Sequence, residues 1–188
     1  PDNDVRSVAV DNKRIIWAGT WNSGLYKYQK SEWTLMQSRF SGIIAADPLQ
    51  NRIIATIAPQ CNASSCVNGG IFIYTNGALE GAASFANQWN SDVRLNALAA
   101  TDKGLCWIGT SIGLFRYDAL IGSLSKIPGD SIPLSDTNIQ TLATDINDGL
   151  WIGAGGYDGC RALVYGGPGK QGWTRFDTSN SKIPKSPF

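Results

Sequence analysis

Cys61-Asn-Ala-Ser-Ser-Cys66 sets two thiols five residues apart in a polar stretch. That spacing suits a small disulfide ring, which would limit the loop's freedom. A metal at the same pair would need further ligands, and no second paired motif supplies them. Asn62-Ala-Ser64 is also a glycosylation acceptor in a host that modifies such sites. Asp145-Ile-Asn-Asp-Gly149 carries calcium-type oxygens, but an EF-hand loop needs its glycine one residue later and a bidentate acid downstream. Ordinary hairpin chemistry explains that run better. The glycine-rich runs 153–159 and 166–172 lack the Lys-Ser/Thr of a phosphate loop. No metal and no cofactor are expected.

Histidine is absent, which removes a Ser-His triad, a histidine general base, a haem attachment motif and most catalytic zinc sites. Glu32 and Glu80 are the sole glutamates, and most aspartates stand at turns, so no carboxylate pair for glycoside chemistry is evident. Sixteen basic residues balance fifteen acidic ones, a net charge of +1 without runs of either sign. A nucleic-acid partner is not expected, because phosphate neutralisation calls for a basic face. The apolar runs, such as Ile71 to Tyr74, are of strand length, so no membrane span is expected. The chain opens on Pro1 rather than Met, as a mature or excised piece of a longer product would.

The elements that must position any site come from a repeat. Four segments end alike: Val8-Ala-Val-Asp11, Ile44-Ala-Ala-Asp47, Leu98-Ala-Ala-Thr-Asp102 and Leu142-Ala-Thr-Asp145. A second apolar run follows each, at Ile15 to Thr20, Ile53 to Thr56, Leu105 to Thr110 and Leu150 to Gly153. A third run closes on Tyr28, Tyr74, Tyr117 and Tyr165, and a weaker fourth carries Trp33, Trp89 and Trp173 in three copies. The runs are short, β-branched or aromatic and bounded by Gly, Asn and Asp, the mark of strands. No window keeps a helical period. Four strands per unit and a period in the forties predict an all-β chain, a β-propeller of four four-stranded antiparallel blades. Approximate blade limits are 1–40, 41–92, 93–134 and 135–188. Trp17, Trp107 and Trp151 hold equivalent second-strand positions and should wedge between adjacent sheets, while Ala55 replaces the tryptophan in the second unit.

Trp-Ile-Gly-Thr-Ser-Ile-Gly-Leu-Phe-Arg-Tyr-Asp (107–118) and Leu-Trp-Ile-Gly (150–153) resemble the two-component regulator propeller repeat. The resemblance covers all four units and is weakest in the second. That family fills the extracytoplasmic sensor region of many bacterial hybrid histidine kinases, and it usually strings together more than four repeats. The resemblance, with the expected loop disulfide, implies an extracytoplasmic location. Ile183-Pro-Lys-Ser186 matches Ile132-Pro-Leu-Ser135, so the chain is cut near a repeat boundary. Four blades could close a small ring, but part of a larger ring, completed by further blades or copies of the chain, is the favoured expectation.

In a four-stranded meander the second–third loops share one end with the links to the next blade. These loops are 21–23, 58–69, 111–112 and 154–159, and they vary in length while the strands do not. Trp21 and Tyr157 are the large aromatics that the repeat leaves over, beside Asn22 and Asp158. An aromatic platform with amide and carboxylate neighbours suits a polar ligand, a carbohydrate for example, or a protein partner. The plain alternative is packing against neighbouring loops. Cys106 is expected as a buried free thiol, since a bond to Cys160 would join opposite ends of two blades. The leading functional expectation is a non-enzymatic sensor-type binding propeller. A structural assembly module and a propeller-fold lyase or glycosidase are the alternatives.

Overall fold

In the computed structural model the described residues are 3–21, 23–38, 42–47, 52–57, 60–61, 66–67, 69–75, 78–84, 93–134, 137–155, 162–167 and 172–183. They form four antiparallel four-stranded sheets in chain order. The first holds β1 (Val5–Val10), β2 (Ile16–Thr20), β3 (Leu25–Gln29) and β4 (Glu32–Gln37). The second holds β5 (Gly42–Asp47), β6 (Arg52–Ile57), β9 (Gly70–Thr75) and β10 (Ala78–Ser84). Between β6 and β9 a small hairpin, β7 (Gln60–Cys61) with β8 (Cys66–Val67), is inserted. The third sheet holds β11 (Leu95–Ala100), β12 (Leu105–Thr110), β13 (Gly113–Asp118) and β14 (Ser123–Lys126). The fourth holds β15 (Ile139–Thr144), β16 (Leu150–Ala154), β17 (Ala162–Gly166) and β18 (Thr174–Phe176). The one helical element described is a 3-10 turn at Gly129–Ser131, and no described helix is long and apolar enough to cross a membrane.

The first strands of the sheets follow one another, β1 against β5, β5 against β11 and β11 against β15. The second and third sheets therefore present one face to the sheet before and the other to the sheet after, while the first and fourth each present one face to a neighbour. Three cores fill the gaps. Trp17 and Leu25 of the first sheet pack on Ile44, Ile53, Ala55 and Tyr74 of the second. Ile54 and Ile71 of the second meet Cys106, Ile108, Phe115 and Tyr117 of the third. Trp107 and Leu114 of the third meet Leu150, Ile152 and Val164 of the fourth. Burial of such apolar side chains stabilises the assembly by about 25 cal/mol per Å². Trp17 and Trp107 are buried as expected. Trp151 is half-buried and lies against Tyr165 and Phe176 of its own sheet, with centroids 4.5 and 5.7 Å away.

Strand register corrects the expected repeat at three places. Trp17, Trp107 and Trp151 oppose Ala9, Ala99 and Ala143, and in the second sheet Ile54 opposes Ala45. Ile54, not Ala55, thus takes the tryptophan's place, and it faces the third sheet as the tryptophans face theirs. In the third sheet the turn-opening residue is Thr101, not Asp102. Its Oγ1 accepts from the amides of Lys103 and Leu105, as Asp11 Oδ1 accepts from Lys13 and Ile15. Tyr28, Tyr74 and Tyr117 share one register position, but there the fourth sheet has Gly166. Tyr165 sits one residue earlier, on the Trp151 face. In the two strand cases the one-residue offset moves a side chain to the other side of the sheet.

Candidate functional site

Trp21 follows β2 at the end of the blade where second strands pass into third strands. Thr20 shapes the turn. Its Oγ1 accepts from the amides of Ser23 (3.0 Å) and Gly24 (2.8 Å), and its hydroxyl donates to the Gly24 carbonyl. Thr110 repeats this in the third sheet, donating to the Gly113 carbonyl and accepting from Ile112. Gly24 and Gly113 open the third strands with φ of +125° and +127°, a backbone that side-chain-bearing residues rarely adopt.

The residue after the second strand is tied to the start of its blade. The amide of Trp21 donates to the Asp4 carbonyl, Ser111 to Arg94 and Gly155 to Asn138. One slot therefore holds an indole, a hydroxymethyl and a bare glycine in three blades. Just inside the slot, each of these blades has a bulge in its first strand, at Arg6, Asn96 and Gln140. A bulge re-aims the extra residue's side chain and often lies beside a functional site. Arg6 turns its guanidinium over the Trp21 ring, 4.3 Å from the centroid, and pairs with the Asp4 carboxylate at 3.1 Å. Asn96 Nδ2 donates to Asn138 Oδ1 (2.9 Å) and to the Ile139 carbonyl (2.8 Å), joining the third and fourth blades at this end. The result is a polar rim carrying one exposed indole stacked on a cation, with Trp21 49% exposed.

Of the four residues expected on this face, Trp21 is placed at its rim, and Asn22, Tyr157 and Asp158 lie outside the described residues. The glycosylation acceptor Asn62 also lies outside them, as does Cys160. Cys61 and Cys66 stand directly opposite each other in the β7–β8 ladder. Cys106 is a free, buried thiol. Arg6, Asn96, Asn138 and Gln140 are the rim residues that sequence reasoning missed. Their signal was available: Arg6-Ser-Val-Ala9, Asn96-Ala-Leu-Ala99 and Gln140-Thr-Leu-Ala143 each place a polar side chain three residues before the repeat's alanine.

No protein-family model matches this chain, and no curated protein matches its sequence. Solved structures do match its fold. The extracellular domain of the hybrid two-component system BT4673 of B. thetaiotaomicron superposes with a TM-score of 0.63 and 22% identity, over 95% of this chain and 23% of that one. The corresponding domain of BT3049 gives 0.65 and 15%, over 94% and 22%. The chain is an arc of β-propeller. It spans about a quarter of the length of these sensor domains. They are the kind of protein whose repeat the sequence resembles. Enzymes share the propeller too, among them the GH74 xyloglucanase of Xanthomonas campestris, with a TM-score of 0.62, 13% identity and coverage of 91% and 29%.

Proposed function

We propose that this propeller segment is a non-enzymatic, extracytoplasmic recognition module of the sensor type, which binds a polar organic ligand through the rim that carries Trp21. The observation that carries the proposal is the exposed indole backed by Arg6, in a slot that holds Ser111 and Gly155 in the third and fourth blades. A flat aromatic face with a guanidinium and a carboxylate beside it suits the apolar face and hydroxyl edge of a sugar ring. An assembly of this kind stacks and hydrogen-bonds but moves no proton.

Five ionisable groups among the described residues are shifted by their surroundings. Burial raises the Cys106 thiol and the phenols of Tyr74 and Tyr117. The hydrogen bond to Asp148 raises Lys103, and the Ser179 hydroxyl lowers Asp177. The fold likeness to extracellular sensor domains supports the extracytoplasmic location. So does the Cys61–Cys66 register, which suits a disulfide in the β7–β8 hairpin.

Calorimetric titration with xyloglucan oligosaccharides, and in parallel with maltooligosaccharides, tests the proposal. Saturable binding by the wild-type chain, weakened at least about tenfold in Trp21→Ala without loss of thermal stability, is expected. Binding unaffected by Trp21→Ala removes the rim as the site. Release of reducing ends from either series removes the non-enzymatic reading.

A further inference from the structure

Three residues of the first blade form a closed circuit at the rim. The Trp21 amide donates to the Asp4 carbonyl at 3.0 Å, the Asp4 carboxylate holds Arg6, and the Arg6 guanidinium lies over the Trp21 ring. Arg6 meets the carboxylate through two nitrogens, Nε to Oδ1 at 3.1 Å and Nη2 to Oδ2 at 3.3 Å. A guanidinium has about five N–H donors, so those of Nη1 and one of Nη2 lie outside the pair. The same two positions behave differently in the other bulged blades. Asn96 gives its amide to Asn138 and the Ile139 carbonyl of the next blade, and in the fourth blade Asn138 and Gln140 both reach the Gly155 carbonyl. Of these three blades the first alone sets an ion pair there, against an indole. Both side chains are 47% exposed, and an ion pair so placed adds little stability. Its effect is on charge and orientation.

We infer that the Asp4–Arg6 pair makes this rim a reader of neutral sugars that turns acidic ones away, an inference that rests on the carbohydrate reading above. Asp4 cancels the charge of Arg6 and leaves part of its donor set beside the indole. A sugar hydroxyl donates and accepts at once. Two neighbouring hydroxyls therefore bond the pair from both sides, one donating to the Asp4 carboxylate and one accepting from Arg6. Arg6 covers one face of the indole, and the sugar ring takes the opposite one. A uronate carboxylate or a sulfate ester only accepts. Attraction to Arg6 is offset by repulsion from Asp4 beside it, and the anion still gives up part of its hydration. Asp4 is thus a specificity-determining residue, and it acts through the charge it sets against Arg6.

Calorimetric titration of the 188-residue chain tests this with xyloglucan oligosaccharides and maltooligosaccharides, each also oxidised at its primary hydroxyls to carboxylates. The wild-type chain should bind a neutral series at least about tenfold more tightly than its oxidised form. Asp4→Asn keeps the backbone carbonyl that receives the Trp21 amide and uncovers the charge of Arg6. It should raise affinity for the oxidised series at least about fivefold, and added salt should shrink that gain. Asp4→Glu, which restores the charge, should return the preference to neutral sugar. Arg6→Gln should weaken neutral binding and give the oxidised series no gain. Equal or tighter binding of the oxidised series by the wild-type chain overturns the inference and leaves the carbohydrate reading standing. A preference that Asp4→Asn does not change has the same consequence, because the charge of the pair would then play no part. Absence of binding in all four series overturns the carbohydrate reading, and the inference with it.

Discussion

The indole Nε1–H of Trp17 donates to Oδ2 of Asp11 at 3.0 Å, and the buried indole of Trp107, its equivalent in the third sheet, has no hydrogen-bond partner among the described residues. The cause is one residue in the turn. Asp11 uses one carboxylate oxygen to hold the turn amides and the other to receive the indole. Thr101, in the same place, has a single hydroxyl already engaged with the turn, in longer bonds of 3.3 Å. In the fourth sheet Asp145 again holds both turn amides, and its second oxygen receives the Tyr165 hydroxyl at 2.7 Å.

Thr101→Asp should therefore stabilise the chain by about 1 kcal/mol, since it offers the buried indole an acceptor and shortens the turn bonds. The reverse change, Asp11→Ala, should cost about 2–3 kcal/mol by leaving one indole and two amides unpaired. Urea denaturation with both variants measures the pair. A Thr101→Asp variant less stable than wild type would mean that burying the new carboxylate costs more than the indole bond returns.

Packing between the third and fourth sheets is tight enough to register a single methyl group. A side chain at Gly109 would bring its Cβ to 2.6 Å from Ile139 Cγ2 and 3.2 Å from Ile139 Cβ, and a β-branched residue in a strand has little room to turn aside. Gly109→Ala should cost about 1–3 kcal/mol as overpacking, and Trp107→Ala about 3–5 kcal/mol as a cavity. Losses below 1 kcal/mol for both would argue against a packed interface between these blades.

Cys106 supplies a pH signature. Burial raises its thiol above the ordinary value of 9.0, so the native state keeps the proton that the unfolded chain gives up. Stability is therefore unaffected by this group below about pH 9 and falls as the pH rises beyond it, by about 1.4 kcal/mol per unit. Cys106→Ala should flatten the slope between about pH 9 and pH 10, just below the ordinary range of the tyrosines, whatever it does to absolute stability. In the native chain Cys106 should also resist alkylation until the protein unfolds. Cys61 and Cys66 should gain alkyl groups only after reduction, as peptide mapping by mass spectrometry would reveal. Their direct pairing across β7 and β8 is the motive.

The sheets were legible in the sequence because strand-length apolar runs bounded by turn residues repeat four times, and Trp17 and Trp107 mark the interfaces without ambiguity. Single-residue register was not. Thr101 and Asp102 both suit a turn start, and Tyr165 and Gly166 both follow an apolar strand, so composition alone could not choose between them. The structure chooses by which amides the turn residue can reach. The β7–β8 hairpin fell inside a polar loop with no apolar alternation to announce it. The rim was half legible. Trp21 stood out as an aromatic that the repeat does not explain, but Arg6, Asn96 and Gln140 matter through a bulge, and a bulge appears only once two strands are paired.

Trp21 and Tyr157 should contribute to recognition independently. They belong to the first and fourth blades, and the exposure of Val8 and Val10 means that the fourth sheet does not fold back onto the first to close a four-bladed ring. On the proposed reading the two aromatics serve a broad surface at separate points instead of gripping one small ring together. Trp21→Ala and Tyr157→Ala should each weaken binding of a long xyloglucan oligosaccharide, and the double change should weaken it by at least about tenfold, or about 1.4 kcal/mol. The single effects should sum to within about 0.5 kcal/mol, as distant sites do. Thermal stability should hardly move, because Trp21 is half exposed, with the Arg6 guanidinium over its ring. A coupling energy above about 1 kcal/mol between the two would place them around one ligand group and argue for a closed ring. A large loss of stability with unchanged binding would instead make both residues part of the loop packing.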